Sequence, residues 1–458
     1  MSEPLWRWRE LCAALDLPGT DGPEVKGICI DSRKGRPGDL FVALSGDPGA
    51  RFNPSSRSER DGHDFVDAAV AAGAVGVLAH DGKARTVPQL QVQDTLDGLW
   101  ALGRAGRARL RCPVVAVTGS SGKTTLKSFL SAALDAFATS GSLNNHLGVP
   151  LSLSLTPRHA QVAVYELGMN HPGEIAPLAM LTRPDVAVVL NVGLAHLENF
   201  SSPDGIRKEK LSIYKGLQDK GHLIVEDSVD VGDLPRTVAL SRFGRHEDSR
   251  VQLVDAADGR ARYRIRGTEI LASVPGGGSH RAMTLAAVLC VLDVLGRDPS
   301  AALNLPQSLV PAGRGQEHRV QDITLIDDSY NANPASMAAA LESLAARDAD
   351  GRRIAVLGEM LELGPEAAGL HRGLAASCSG IDQVLCVADG MRPLYESLPG
   401  SQRGGWFEAA DAVLLDSLAE TLGPGDTVLV KGSNRVFWRV GFVEQLIERL
   451  RERRPHAD

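Results

Sequence analysis

The sequence predicts an α/β protein of three domains: a small α/β unit, a central parallel-sheet unit and a C-terminal Rossmann-like unit. Three observations carry that expectation. The chain has 458 residues, and at ~150 residues per domain this is enough for about three cores. Short β-branched runs alternate with helical segments through the middle and last thirds, the pattern of parallel sheets flanked by helices. One such run leads directly into a Gly–Ser loop and a helix, which is how a phosphate-binding turn is written.

The first domain is expected over residues 1–108. It opens with helical text at 6–15, followed by strand-like 27–31 and the alternating stretch 39–44. Residues 45–63, with Pro48, Gly49 and Pro54, read as a loop; helical text at 65–72 and a buried strand at 75–79 follow. The second domain, 109–312, starts with a strand at 114–117 and a helix at 126–137. Further strands are expected at 162–165, 186–190 and 222–225. Charged, β-like text over 227–274 suggests a small antiparallel excursion, then come a turn at 275–278 and a strong helix at 279–295. The third domain, 313–458, carries strands at 324–327, 353–357, 384–388 and 427–430, in the order of a doubly wound unit. The closing Glu448-Arg-Leu-Arg-Glu-Arg-Arg454 reads as a solvated helix end, where positive charges suit the dipole.

Composition narrows the partners. Lys plus Arg total 49 against 56 Asp plus Glu, a formal net charge of −7, which argues against holding nucleic acid by a general electrostatic field. No run of 18 apolar residues is present, so a membrane span is not expected. The first ten residues include Glu3, Arg7, Arg9 and Glu10, unlike a signal peptide. Six cysteines without CxxC spacing read as small buried thiols of a cytoplasmic protein.

The strongest chemical signal is Thr118-Gly119-Ser120-Ser121-Gly122-Lys123-Thr124-Thr125. A strand, this loop and a helix N-terminus surround an anion with backbone N–H groups. Gly119 and Gly122 permit the tight turn, Lys123 can reach the terminal phosphates, and the Thr124 hydroxyl can ligate Mg²⁺. Val117 stands where the longer form of the loop has its first glycine, so this is a compact variant. Glu166, just past a strand end, is placed to hold a metal-bound oxygen, although a lone acid there can equally cap a helix. His196 lies at the C-terminal edge of another strand, where ligands bind in such sheets; a structural role is open to it as well. Lys210, in Arg207-Lys-Glu-Lys-Leu-Ser212, reads as part of a solvated helix face. Arg314 could donate a bidentate pair to phosphate, and Asp328 could accept from a ribose hydroxyl. Asn331 and Asn333 would otherwise be turn formers.

Taken together these segments resemble the Mur ligase family, the ATP-dependent amide-forming enzymes of peptidoglycan synthesis. The likeness is carried by Asp31-Ser32-Arg33 with Gly38-Asp-Leu-Phe-Val-Ala-Leu44, by Asp61-Gly-His-Asp-Phe65 and by the phosphate loop. Leu143-Asn-Asn-His-Leu-Gly-Val-Pro150, Glu166-Leu-Gly-Met-Asn170 and Ala195-His-Leu-Glu198 extend it. Asp327-Asp-Ser-Tyr-Asn-Ala-Asn-Pro334, Leu357-Gly-Glu-Met-Leu-Glu-Leu-Gly364 and Lys431-Gly-Ser433 are similar to the branch that takes D-alanyl-D-alanine.

The resemblance implies an enzyme that joins D-alanyl-D-alanine to UDP-N-acetylmuramoyl-tripeptide through an acyl phosphate, as a monomer. The first domain would bind the UDP end through Ser32 and Arg33, with Asn144 and Asn145 along its approach. Residues 118–125 would bind ATP, joined by Asp328, Tyr330 and Asn331 from a mobile C-terminal domain. Thr124 and Glu166 would face one Mg²⁺ and His196 a second. Lys210 falls where the family bears a carbamylated lysine. Lys123, His196, Lys210 and Arg314 would carry catalysis, and Lys431 and Ser433 would contact substrate. A sister ligase with another amine acceptor, such as a folylpolyglutamate synthase, and a non-catalytic nucleotide sensor are the alternatives. The chain departs from the family at Ser212 (usually Glu), Thr284 (usually Asn), Arg281 and Glu359 (commonly Asp), and 46–60 looks like an insertion.

Overall fold

A computed structural model describes residues 3–45, 60–194, 196–200 and 202–452. Most of the expected insertion, 46–59, therefore lies outside the described residues.

Three sheets organise the chain. The first contains Gly27–Cys29, Asp39–Val42, Gly76–Ala79 and Gln89–Gln91, all parallel and in chain order. The second has eight strands. Its parallel part runs Ala163–Glu166, Val114–Thr118, Val186–Val189, His222–Glu226 and Ala239–Gly244 across the sheet. Val251–Ala257 then continues it in parallel, and Arg260–Ile265 and Thr268–Ser273 close it as antiparallel partners. The expected antiparallel excursion is thus not a separate sheet; it extends the one that carries the phosphate loop. The third sheet is ordered Gln316–Val320, Ile323–Asp328, Thr427–Lys431, Arg353–Gly358, Gln383–Val387 and Arg403–Phe407, with only the first strand antiparallel.

The period-two rule of strands explains why Val114–Thr118 is wholly buried. Val115 and Val117 point into a layer with Leu126, Phe129, Leu130 and Leu285. Val114 and Ala116 point the other way, onto Val149, Leu153 and Leu178. The helix Ser279–Val294 is buried on nearly every side, and its text is correspondingly apolar all round.

Several elements differ from the sequence expectation for local reasons. The first helix is only Trp8–Ala14, because Trp6 is drawn into a bridge with Val25 and its indole N–H donates to the Ser154 carbonyl at 2.8 Å. The helix after the phosphate loop begins at Lys123 rather than 126, since Gly122 at φ +76 turns the chain early. It stops at Leu134, where Asp135 adopts a left-handed conformation. The strand Gln89–Gln91 and the helices Thr95–Ala108 and Gly148–Leu155 were not anticipated. In Thr95–Ala108, Gly98, Gly103 and Gly106 interrupt the apolar stripe.

Those glycines have a purpose. A Cβ on Gly103 would sit 2.9 Å from Pro150 Cα, and one on Gly106 would sit 2.4 Å from the Leu153 carbonyl oxygen. The two helices therefore meet backbone to backbone. Arg107 ties the same helix to the end of Ile175–Thr182, donating to the carbonyls of Thr182 (2.6 Å) and Arg183 (2.7 Å). Arg109 donates to Leu5 (2.7 Å) and Thr156 (2.8 Å). The closing helix, Phe442–Glu452, buries Phe442, Val443, Leu446 and Leu450 and pairs Arg449 with Asp416 at 2.9 Å. Only its outer face is solvated, and residues 453–458 lie outside the described residues. Among the described residues no helix is long and apolar enough to cross a membrane.

Candidate active site

The phosphate loop leaves the buried strand Val114–Thr118 and enters the helix Lys123–Leu134. Gly122 is required twice over: its φ is +76, and a Cβ would lie 2.7 Å from Leu190 Cδ2. Asn191, just past the neighbouring strand Val186–Val189, braces the loop by accepting from the Ser120 and Ser121 N–H groups, both at 3.0 Å. Ser120 is also tied to Gly193, accepting from its N–H at 2.8 Å and donating to its carbonyl at 3.0 Å. Lys123 Nζ donates to the Gly119 carbonyl at 2.7 Å. Burial lowers its pKa, and Glu166 opposes that shift.

Glu166 ends the strand Ala163–Glu166, in register with Val117. It is buried, yet both carboxylate oxygens are engaged. Oε2 accepts from Thr124 Oγ1 at 2.9 Å and lies 3.7 Å from Lys127 Nζ, while Oε1 accepts from Asn144 Nδ2 at 2.8 Å. Burial lowers the pKa of Lys127, with Glu166 again opposing. The Thr124 hydroxyl in the first turn of the helix and the Glu166 carboxylate at a strand end are hard oxygen donors of the kind Mg²⁺ takes. Among the described residues no three His, Cys, Asp or Glu side chains cluster to hold an ion.

Lys210 overturns its expectation as a solvated residue. On the helix Pro203–Leu211, Lys208 is exposed and pairs with Asp204 at 2.8 Å. Lys210, two residues and roughly 200° further round, is buried and faces the loop. Burial, reinforced by the charge of Lys123, pulls its pKa well below the ordinary lysine value.

The third sheet supplies the opposite wall. Asp328 and Lys431 end adjacent strands in register, and Lys431 Nζ donates to Asp328 Oδ2 at 2.7 Å and to the Asn331 carbonyl at 3.1 Å. The Arg314 guanidinium lies 4.2 Å from the Tyr330 ring centroid and donates to Ser142 Oγ at 3.2 Å. Arg281, buried, donates to the carbonyls of Gly276 (2.6 Å) and Arg314 (2.9 Å). It thereby ties the helix Ser279–Val294 to the start of the third unit.

A cleft of about 550 Å³ separates the two walls. Ser120, Ser121, Gly122, Lys123 and Thr125 line it from the loop, and Asn144, Asn145, Glu166, His196 and Lys210 from the rest of the second unit. Arg314, Asp328, Tyr330, Asn331 and Lys431 line it from the third unit. Thr124 reaches it through Glu166. Thr118 and Gly119 lie behind the loop; the buried Thr118 hydroxyl has no partner among the described residues. Ser433 is not on the cleft, because it is buried with Oγ accepting the Leu361 N–H at 2.9 Å. Ser32 and Arg33 are on the first unit, where Arg33 forks onto Asp31 at 2.9 and 2.8 Å.

Sequence reasoning missed Asn191, Lys127 and Glu362, whose Oε2 lies 2.5 Å from His196 Nδ1. Each had a signal: Asn191 heads the segment ending in His196, Lys127 lies one helical turn beyond Lys123, and Glu362 falls inside the 357–364 text. Of the departures, Arg281 reaches the third unit, and the other three make hydrogen bonds of their own. Ser212 donates to the Glu209 carbonyl at 2.6 Å, Thr284 to the His280 carbonyl at 3.1 Å, and Glu359 accepts the Gly390 N–H at 3.2 Å.

The chain is similar in sequence and fold to known proteins. Residues 117–292 match the Mur ligase middle domain and 313–434 the Mur ligase, glutamate ligase domain. The UDP-N-acetylmuramoyl-tripeptide–D-alanyl-D-alanine ligase of Escherichia coli (strain K12) is 35% identical, covering 95% of this chain and 96% of that protein. Its counterpart in Bacillus subtilis (strain 168) is 32% identical, covering 92% and 93%. A crystal structure of MurF from Acinetobacter baumannii superposes with a TM-score of 0.81 at 28% identity, covering 97% and 99%. MurF ligase from Thermotoga maritima in complex with ADP gives 0.77 at 29%, covering 93% and 98%.

Proposed function

We propose, from the premise that this chain belongs to the Mur ligase family, that it joins D-alanyl-D-alanine to UDP-N-acetylmuramoyl-tripeptide at the expense of ATP. The observation that carries this reading is the convergence of Lys123, Glu166, Lys210 and Arg314 on one cleft between two sheets. Relatives at 35% and 32% identity, both bearing that name, support the choice of substrates.

Residues 1–108 hold the UDP end, 109–312 the nucleotide phosphates, and 313–458 the incoming amine. The braced loop presents N–H groups and the start of the helix Lys123–Leu134 to the phosphates of ATP. A carboxylate oxygen of the tripeptide bonds to the γ-phosphorus, the bond to the β-phosphate oxygen breaks, and ADP leaves. The amine of D-alanyl-D-alanine then adds to the acyl carbon, loses a proton, and expels inorganic phosphate as the amide forms. Two anions must meet in the first step, so Lys123 and Arg314 lower the charge repulsion between them. Thr124 and Glu166 would hold Mg²⁺, which would supply further charge neutralisation at the phosphate oxygens. His196 would face a second ion. Lys210, whose pKa burial pulls well below the ordinary lysine value, is suited to take up CO₂ as a carbamate. Asp328 and Asn331 serve the ribose side, and Tyr330 backs Arg314. Ser32 and Arg33 contact the nucleotide-sugar, with Asn144 and Asn145 on its approach. Lys431 touches substrate through the wall it shares with Asp328. The reading is completed by a monomeric enzyme whose setting is the cytoplasm.

Phosphate release in the presence of ATP, Mg²⁺ and UDP-N-acetylmuramoyl-tripeptide tests the reading. Turnover is expected only when D-alanyl-D-alanine is added. Turnover confined to another amine, or nucleotide binding with no turnover, would overturn it.

A further inference from the structure

The proposed reaction leaves the 357–364 text without a task, and the structure brings it against the loop that carries His196. His196 follows the strand Val186–Val189 of the second sheet, and Glu362 follows Arg353–Gly358 of the third. We infer that Glu362 is a positioning residue: it fixes the tautomer and aim of the His196 ring, and it does so only when the third unit is closed on the second.

The contact is built rather than incidental. Glu362 Oε2 lies 2.5 Å from His196 Nδ1, and the Glu198 N–H donates to the Glu362 carbonyl at 3.2 Å. Both residues adopt left-handed backbone, His196 at φ +60 and Glu362 at φ +62, a conformation that non-glycine residues keep only where their surroundings enforce it. The Glu362 loop is pinned from behind, independently of His196. The Leu361 N–H donates to Ser433 Oγ and the Met360 N–H to His371 Nε2, both at 2.9 Å. This gives the buried Ser433 a purpose away from the cleft.

A carboxylate at Nδ1 selects the tautomer with its proton there and leaves the Nε2 lone pair on a ring that lines the cleft. Glu362 is 50% exposed, and an ion pair that open adds little to the affinity of one unit for the other. Its effect therefore falls on the orientation of His196 more than on holding the units shut. The inference rests on the reading that His196 works in the cleft.

Three variants of the full-length protein test it: Glu362→Ala, Glu362→Gln and His196→Ala. Removing an outer partner of a working histidine is expected to lower kcat about 10–100-fold in Glu362→Ala, with KM for each substrate little changed. Glu362→Gln keeps an acceptor for the Nδ1 proton and is expected to recover most of that loss. Long-range ¹H–¹⁵N spectra of histidine-labelled protein, with the His196 signal assigned from its absence in His196→Ala, read the tautomer without any turnover. The Nδ1–H form is expected in the native chain and its loss in Glu362→Ala. An unchanged tautomer in Glu362→Ala, an unchanged kcat, or equal impairment of both Glu362 variants with a lowered melting midpoint would overturn the inference. If His196→Ala turns over normally, the role of His196 in the cleft fails instead, while the spectra still report whether Glu362 holds the ring.

Discussion

Glu166→Ala removes the carboxylate from a buried pair, and its consequence for stability can be worked from the structure. Glu166 is 3% and Lys127 4% exposed, with Nζ 3.7 Å from Oε2. Breaking such a pair by deleting one partner typically costs about 3–5 kcal/mol, since the remaining charge is buried without compensation. A ceiling follows from the alternative open to Lys127, which is to give up its proton. Burial already favours this, and Glu166 is the group that resists it. Neutralising a lysine at pH 7 spans roughly 3.5 pH units at about 1.4 kcal/mol each, or about 5 kcal/mol. For a unit of this size 1 kcal/mol lowers the midpoint by about 2–4 °C, so Glu166→Ala is expected to melt roughly 6–20 °C below the native chain. Adding Lys127→Met removes the stranded charge at similar length and should restore most of that loss. Differential scanning calorimetry of the single and double variants measures both. A single variant that melts within about 1 °C of the native chain would refute the reasoning. So would a double variant that melts no higher than the single one.

Three other outcomes are expected. Lys123→Ala should lower kcat on the order of 10²–10³-fold in the phosphate-release assay, because it deletes a charge aimed at the transferring phosphate; near-native kcat would remove Lys123 from that role. Lys210→Met should raise the melting midpoint, and by more at pH 6 than at pH 9 in CO₂-free buffer. The folded-state pKa of Lys210 lies below its unfolded value, so between the two the unfolded chain holds the extra proton and native stability rises with pH by up to about 1.4 kcal/mol per unit. A gap between variant and native that widens with pH would contradict this, and Lys210→Ala activity regained with added small carboxylates would support the carbamate. Gly122→Ala places a Cβ in left-handed backbone and 2.7 Å from Leu190 Cδ2, which should destabilise by about 1–2 kcal/mol. It should also raise KM for ATP; an unchanged melting curve would show that the loop tolerates the methyl group.

What was legible in the sequence was what local chemistry dictates. The phosphate loop could be read because glycine, lysine and threonine each answer to a separate backbone or charge requirement within eight residues. Glu166 and His196 could be nominated because strand ends in a parallel sheet face one edge. Lys210 was nominated only through the resemblance, and its own segment reads as a solvated face, because charge along a short segment says nothing about which side of a helix is buried. The helix Thr95–Ala108 was missed because Gly98, Gly103 and Gly106 trade helix propensity for close approach to Gly148–Leu155, a gain visible only once the partner is in place. Glu362 was missed for a similar reason: it acts across an interface between residues 166 positions apart.

The glycine-lined seam between Thr95–Ala108 and Gly148–Leu155 has a consequence for how the chain comes apart. With backbones in contact and two arginines buckling the junction, the first two sheets have no hinge between them and should lose structure in a single cooperative step. The third sheet meets the second through polar contacts such as Arg314–Ser142 and His196–Glu362 rather than through a backbone-to-backbone seam, and is expected to melt on its own. Calorimetry would then resolve two transitions rather than one for each of the three sheets, and a dissection of the protein into working halves belongs near residue 312, not near 108.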